Sequence, residues 1–141
     1  MPVLVSSVSM AKEYFLPLPD DVEQLLKQYW PGALTVVFPS HTDKVPTQVR
    51  GGGNTVGMRM PNHHIALMLI KEVGVPILGT SANFAGEKTP FRFEDLDPEL
   101  IQLVDYVVPG ECSVKQPSTV VDCSTKPWKI LRQGAVTVPK T

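Results

Sequence analysis

Small hydroxyl and amide residues follow an apolar run in the segment VPILGTSANFAGEKTP, residues 75–90. The backbone N–H groups of a tight turn, with Ser81 and Asn83 beside them, can hold phosphate oxygens. The segment is not a Walker loop, because that motif ends in Gly-Lys-Ser/Thr and here Gly86 is followed by Glu87. From residue types alone, an ordinary turn and an anion-binding turn both stay open.

Two arginines and a serine elsewhere in the chain add cations and a hydroxyl group that suit an anion. Arg59 shares a predicted strand face with Thr55 and Gly57, and small neighbours leave room beside a planar guanidinium. Ser118 opens the segment STVVDCS, and Arg132 follows the apolar segment KIL. Each also has an ordinary interpretation, as an edge-strand arginine in water, a turn serine and a surface charge.

The composition limits the classes of protein to which this chain can belong. The chain has 141 residues, of which 43% are hydrophobic and 19% charged, and this predicts a globular protein of one domain. The formal net charge of −1 argues against bulk nucleic-acid binding, although it leaves a local basic patch open. No apolar stretch approaches the ~20 residues of a membrane helix and no signal peptide is visible, so we expect a cytoplasmic protein. Cys112 and Cys123 make no metal-ligand pattern and are expected to be reduced thiols.

Strands and helices alternate along the chain. Apolar or alternating segments predict seven strands, in VLVSS, ALTVVFP, NTVGMRMP, VPILG, YVVPG, STVVDCS and WKILRQG, with VPILG buried. Helical spacing predicts helices in PDDVEQLLKQYWPG, NHHIALMLIKEVG and DPELIQLV, capped by Asp20 or Asp21, by Asn62 and by Asp97. The alternation predicts an α/β fold, in which ligands bind beyond the strand ends, where residues 80–83 would lie.

Five segments in this order resemble the YrdC family of threonylcarbamoyl-AMP synthases. They are YWPGALTVVFP, GNTVGMRMPNHHIA, VPILGTSANFAGEKTP, PSTVVD and ILRQGAV, and together they span residues 29–136. The resemblance implies a single YrdC-like domain over residues 1–141, with a twisted mixed β-sheet flanked by helices. It also implies a nucleotidyltransferase that joins L-threonine, bicarbonate and ATP to give threonylcarbamoyl-adenylate and pyrophosphate. A partner enzyme would then transfer the threonylcarbamoyl group to adenosine 37 of tRNA.

The resemblance also implies the residues of the site. Those implied to bind ATP are Thr55, Ser81, Asn83, Thr89 and Arg132, and those implied to bind threonine are Arg59, Gly79 and Ser118. No covalent nucleophile is needed, because the threonine amine can attack the bicarbonate-derived carbon and the carbamate can then attack the α-phosphate. No carboxylate cluster predicts a metal site in the protein, so Mg²⁺ would arrive with ATP.

The sequence departs from the family pattern at its start. Family members carry a further N-terminal segment, with a threonine-rich strand, a histidine for the substrate threonine and a Lys-x-Arg pair for the triphosphate, and this sequence begins after them. We therefore expect a domain that is incomplete at its N-terminus and forms the adenylate poorly. The loss of early strands would leave a sheet edge open, which invites self-association.

Two other functions stay open. One is RNA binding without catalysis, to tRNA or double-stranded RNA, although the net charge of −1 argues against strong non-specific affinity. The other is a carbamoyl-adenylate domain like that of hydrogenase maturation proteins, which are much larger chains. Stabilisation by a nucleotide would favour an enzyme over a module that binds RNA only.

Overall fold

The computed structural model describes residues 2–110 and 116–139, and six strands within these ranges form one mixed sheet. The strands are β1 Val3–Leu4, β2 Leu34–Pro39, β3 Thr55–Arg59, β4 Ile77–Leu78, β5 Thr119–Asp122 and β6 Lys129–Arg132. Their order in the sheet is β4-β1-β3-β2-β5-β6. The β1–β3 and β2–β5 pairs are parallel, and the other three pairs are antiparallel. The predicted α/β fold with a mixed sheet and helices is confirmed.

The described helices are α1 Val8–Tyr14, α2 Asp20–Tyr29, α3 His64–Val73 and α4 Pro98–Leu103. The predicted cap of α4 is confirmed, because the Asp97 carboxylate accepts from the Glu99 N–H at 2.9 Å. The predicted cap of α3 is wrong, since His63 Nδ1 accepts from the Ala66 N–H and takes the place expected of Asn62. Helix α1 was not predicted, and its seven residues are too few to show a helical period.

One further cap and two strands also differ from the sequence-based expectation. Pro19 holds the cap position of α2, so Asp20 and Asp21 lie in its first turn instead. Residues 106–110, the segment YVVPG, form no strand. The segment VPILG does form β4, but β4 is an edge strand and Leu78 is 53% exposed rather than buried. An edge strand has a neighbour on one side only, so an apolar run alone does not imply burial.

One face of the sheet packs against α1 and α2. The register places Val36 opposite Met58 and beside Val121, and all three are fully buried. The same buried cluster includes Ala11 of α1 and Leu26 of α2. Because side chains alternate along a strand, the neighbouring residues of these strands lie on the opposite face, which is where the candidate site is found.

Backbone contacts divide the chain into two compact units, residues 1–79 with 116–141 and residues 80–115. The first unit contains the whole sheet with α1, α2 and α3, and the second contains α4 and a 3₁₀ turn at Phe93–Asp95. The single domain expected over residues 1–141 stays a prediction. Within the described ranges, the structure contains no helix with the length and apolar character needed to cross a membrane.

Candidate active site

A groove lies on the sheet face that points away from the buried cluster. The groove is deep at Gly57 of β3, opposite Val37 of β2, because glycine has no side chain to fill it. A Cβ at Gly57 would lie 3.3 Å from Thr35 Cγ2 and 3.5 Å from Val37 Cγ2. The cavity has a volume of ≈ 320 Å³. The residues that present polar side chains to it are Thr35, Arg50, Thr55, Ser118 and Arg132.

Ser118 is the centre of a hydrogen-bond network at the β5 side of this groove. Its hydroxyl oxygen lies 2.9 Å from Thr35 Oγ1 and accepts from Arg132 Nη2 at 3.0 Å. Arg132 Nε also donates to the Ser118 carbonyl at 3.0 Å. Thr35 and Ser118 are both buried. Two hydrogen bonds to one residue therefore fix the orientation of the Arg132 guanidinium at the edge of the groove.

Thr119, the next residue, holds the chain segment that follows Arg132. Its hydroxyl donates to the Val136 carbonyl at 2.5 Å and accepts from the N–H groups of Gly134 and Val136 at 3.0 and 3.1 Å. Its side chain is fully buried and lies on the core side of β5. Of the two adjacent hydroxyl residues, Ser118 therefore orients the Arg132 side chain, and Thr119 holds the backbone that follows Arg132.

Arg50 brings a second guanidinium to the groove, from the loop between β2 and β3. Its Nε donates to the Val45 carbonyl at 2.8 Å, its Nη1 to the Gly53 carbonyl and its Nη2 to Thr47 Oγ1 at 3.2 Å. Among the described residues, no ion pair involves Arg50 or Arg132, and no carboxylate lines the cavity. The groove is therefore electropositive and suited to an anion.

Arg59 and Gly79 lie at other places on the sheet. Arg59 shares the groove face of β3, and its Nε donates to the Gly32 carbonyl at 3.0 Å, which ties the side chain to the turn after α2. The Gly79 N–H donates to the Pro2 carbonyl at 2.9 Å, and a Cβ at Gly79 would lie 2.7 Å from Leu4 Cδ1. Gly79 can therefore offer a ligand its carbonyl, but its N–H is already bonded.

The second unit contains the turn with Ser81, Asn83 and Thr89. Asn83 Nδ2 donates to the carbonyls of Phe84 and Glu87, at 3.0 Å each, so both of its amide protons stabilise the turn. Asn83 Oδ1 is buried and has no hydrogen-bond partner among the described residues. Ser81 is exposed and Thr89 is half-buried. In this conformation the Asn83 side chain holds the turn together and has no free amide proton for a ligand.

The structure thus brings Thr55, Ser118 and Arg132 together in one groove and places Arg59 on the same face of the sheet. Sequence reasoning missed Thr35 and Arg50. The position of Thr35, a polar residue inside an apolar strand, was the one sequence feature that could have indicated its role. No sequence feature indicated a role for Arg50, because an arginine in a glycine-rich loop is usually a surface residue.

The cysteines and the acidic residues of the described chain do not add a site. Cys123 is a buried free thiol, whereas Cys112 lies outside the described residues. Burial, together with the nearby carboxylates of Asp122 and Asp21, raises the pKa of Cys123 to about 12. Across residues 2–110 and 116–139, no group of three or more His, Cys, Asp or Glu is arranged to hold a metal ion.

Comparison with known proteins gives consistent matches over nearly the whole chain. A family model described as "Telomere recombination", which groups Sua5, YciO and YrdC proteins, matches residues 1–134. The threonylcarbamoyl-AMP synthase of Bacillus subtilis is 36% identical over 139 residues, which are 96% of this chain and 39% of that protein. The threonylcarbamoyl-AMP synthase of Pyrococcus abyssi is 36% identical over 128 residues, which are 90% of this chain and 36% of that protein.

A solved structure matches as well. The crystal structure of P. abyssi Sua5 complexed with L-threonine has a TM-score of 0.82 and 32% identity, and the match covers 94% of this chain and 39% of that one. The chain therefore spans less than two fifths of the length of these relatives.

Proposed function

This chain belongs to the Sua5/YciO/YrdC family, and from that premise we propose that its groove serves threonylcarbamoyl-AMP synthesis. The substrates would be L-threonine, bicarbonate and ATP with its Mg²⁺, and the products threonylcarbamoyl-adenylate and pyrophosphate. The observation that carries the proposal is the arrangement of Ser118 and Arg132 with Thr55 around one cavity that no described carboxylate lines. A fixed guanidinium beside hydroxyl groups is an arrangement that binds carboxylate and phosphate.

The reaction requires positioning and charge neutralisation more than a nucleophile from the protein. The threonine nitrogen forms a bond to the bicarbonate carbon and water leaves, which gives a carbamate. A carbamate oxygen then attacks the α-phosphorus while the bond to pyrophosphate breaks. ATP brings about four negative charges and Mg²⁺ offsets two of them, so a cation such as Arg132 at the phosphates lowers the remaining repulsion. Holding the three substrates close together supplies the proximity that the two steps need.

The threonine carboxylate is proposed to bind Arg59 with help from Ser118, and the Gly79 carbonyl is proposed to bind another group of the same threonine. The bond from Arg59 Nε to the Gly32 carbonyl supports this role, because it fixes the plane of the guanidinium before a ligand arrives. The Gly79 carbonyl is an acceptor and suits the threonine ammonium or hydroxyl group rather than its carboxylate.

The assignment of Ser81, Asn83 and Thr89 to ATP rests on the family resemblance. Both amide protons of Asn83 are engaged within the turn and its Oδ1 is buried. We therefore propose that Asn83 supports ATP binding by holding the turn that carries Ser81.

The chain spans less than two fifths of the length of its relatives, so the activity of the whole protein is a proposal here. We also propose for this chain nucleotidyltransferase activity, a cytoplasmic location, tRNA as the final acceptor, a downstream transfer enzyme and self-association at a sheet edge. No described feature favours RNA binding without catalysis over the enzyme, and the electropositive groove has the size of a small-molecule site.

The test is thermal unfolding and calorimetry on the 141-residue polypeptide with ATP and Mg²⁺, with L-threonine, and with a tRNA. We expect both small molecules to raise the unfolding midpoint. The double variant Ser81→Ala with Asn83→Ala should lose most of the nucleotide affinity. Ser81 would lose a charge-assisted hydrogen bond to phosphate, worth roughly 1.5–3 kcal/mol, and the turn would lose the two Asn83 hydrogen bonds that hold it. Stabilisation by tRNA alone, with none by ATP or threonine, would contradict the enzyme and favour the RNA-binding alternative.

A further inference from the structure

We propose that Arg50 is a second phosphate-binding cation of the groove, acting with Arg132 on the same anion. The inference deepens the proposed function and rests on it for the identity of that anion, a phosphate chain. It starts from two guanidinium groups that line one cavity of ≈ 320 Å³.

The Arg50 side chain is held in place by neutral acceptors. Its partners are the carbonyls of Val45 and Gly53 and the hydroxyl of Thr47. These bonds use three of the five N–H donors of a guanidinium and leave its positive charge without an offsetting carboxylate among the described residues. A fixed, charged group with donors to spare is organised in advance for an anion.

The loop that carries Arg50 is folded by its own hydrogen bonds. The Arg50 N–H donates to the Pro46 carbonyl at 3.2 Å, and the Gly52 N–H donates to the Thr47 carbonyl at 3.0 Å. Gly51 and Gly52 have φ angles of 62° and 83°, which glycine adopts without strain. The glycines let the loop turn tightly enough to direct the Val45 and Gly53 carbonyls at one guanidinium.

The charges of the cavity also point to an anion. Arg50 and Arg132 both line it, and no carboxylate of the described chain does. Two like charges on one concave surface repel each other, and this repulsion is relieved when an anion binds to both. Arg132 is fixed by Ser118 in the same way as Arg50 is fixed by its loop, so both cations are in place before the anion binds.

The experiment is calorimetric titration with inorganic pyrophosphate, without threonine or bicarbonate. Arg50→Gln and Arg50→Lys form a matched pair, because both lose the forked loop contacts and only the second keeps the charge. We expect Arg50→Gln to weaken pyrophosphate binding about 10- to 100-fold, and Arg50→Lys to retain several-fold more affinity than Arg50→Gln. Lys129→Gln, which removes an exposed cation that does not line the groove, should bind like the wild type.

A second measurement needs no variant and applies even where Arg50→Gln does not fold. Pyrophosphate should protect Arg50 of the wild-type protein from modification by phenylglyoxal, read by mass spectrometry, while exposed Arg92 stays reactive. Equal affinity of the two Arg50 variants, no binding by the wild type, or no protection of Arg50 would overturn the proposal. If L-threonine does not stabilise the protein while pyrophosphate binding stays intact, the proposed reaction is contradicted and the role of Arg50 in anion binding still stands.

Discussion

The hydroxyl oxygens of Thr35 and Ser118 lie 2.9 Å apart in a buried position, although the two residues are 83 positions apart in the sequence. The parallel pairing of β2 with β5 brings them together, since Leu34 is opposite Thr119. Ser118 Oγ already accepts from Arg132. When Thr35 donates as well, both acceptor sites of that oxygen are filled and the Ser118 proton is directed to the groove. Thr35 would then make Ser118 a donor to an anionic ligand.

Thr35→Val tests that role, because valine keeps the shape and removes the hydroxyl. We expect L-threonine affinity to fall about tenfold and the free energy of unfolding to fall by about 1 kcal/mol, the usual worth of one hydrogen bond. Thr35→Ser should restore most of the affinity, because it keeps the donor. Calorimetry and urea titration provide the two values. Equal threonine affinities for the valine and serine variants would show that the Thr35 hydroxyl does not act through Ser118.

The strand faces of this fold could be read from the sequence, but the contacts between distant strands could not. Alternation predicted that Thr55, Gly57 and Arg59 share a face, and the burial pattern of β3 agrees. The same alternation says nothing about which strand lies beside β2. The Thr35–Ser118 pair depends on sheet order, which arises from packing between segments far apart in the chain.

The incorrect predictions have a related cause. The segment YVVPG has β-branched residues typical of a strand, but strand formation also requires a neighbour that accepts its hydrogen bonds. Arg50 could not be placed either, because its approach to the groove depends on how the loop folds around its guanidinium. Local composition sets the preference of a segment, and tertiary contacts decide whether that preference is realised.

Thr119 should be more important to stability than Thr35. Its hydroxyl satisfies three backbone groups in a fully buried position. Thr119→Val leaves those groups without a partner, so we expect the free energy of unfolding to fall by about 3 kcal/mol. Thr119→Ser keeps the hydroxyl and loses one methyl group, which should cost about 1 kcal/mol. Urea titration compares them, and equal stability of the two variants would mean that the hydroxyl contributes little.

Gly134 tolerates no side chain in this structure. A Cβ there would lie 2.2 Å from the Pro117 carbonyl oxygen and 2.5 Å from the Ser118 carbonyl carbon, so the backbone would have to move. We expect Gly134→Ala to lower the free energy of unfolding by about 2–3 kcal/mol. Gly53→Ala is the control, because its Cβ would meet the Arg50 carbonyl oxygen at an ordinary 3.8 Å. A Gly134→Ala protein as stable as Gly53→Ala would contradict this close approach.

The Cys123 thiol should be unreactive in the folded protein. Burial raises its pKa from 9.0 to about 12, so the thiolate, which is the reactive form, is scarce at pH 8. In a Cys112→Ser background, we expect a thiol reagent to label Cys123 much faster in denaturant than in buffer. Between pH 9 and 12 the unfolded thiol releases its proton while the folded one retains it, so the Cys123 contribution to stability falls as pH rises. Equal labelling rates with and without denaturant would show that Cys123 is accessible.

Arg59 is expected to recognise the threonine carboxylate through its planar fork. Arg59→Lys keeps the positive charge but loses that fork and the Nε bond to the Gly32 carbonyl, so L-threonine affinity should fall roughly tenfold. L-threoninol, which has no carboxylate, should bind the variant and the wild type with the same affinity. Arg92→Lys is the matched control, because Arg92 is 63% exposed and pairs only loosely with Asp95, at 3.6 Å. An equal loss for threonine and threoninol would place the effect in the Gly32 turn and not in carboxylate recognition.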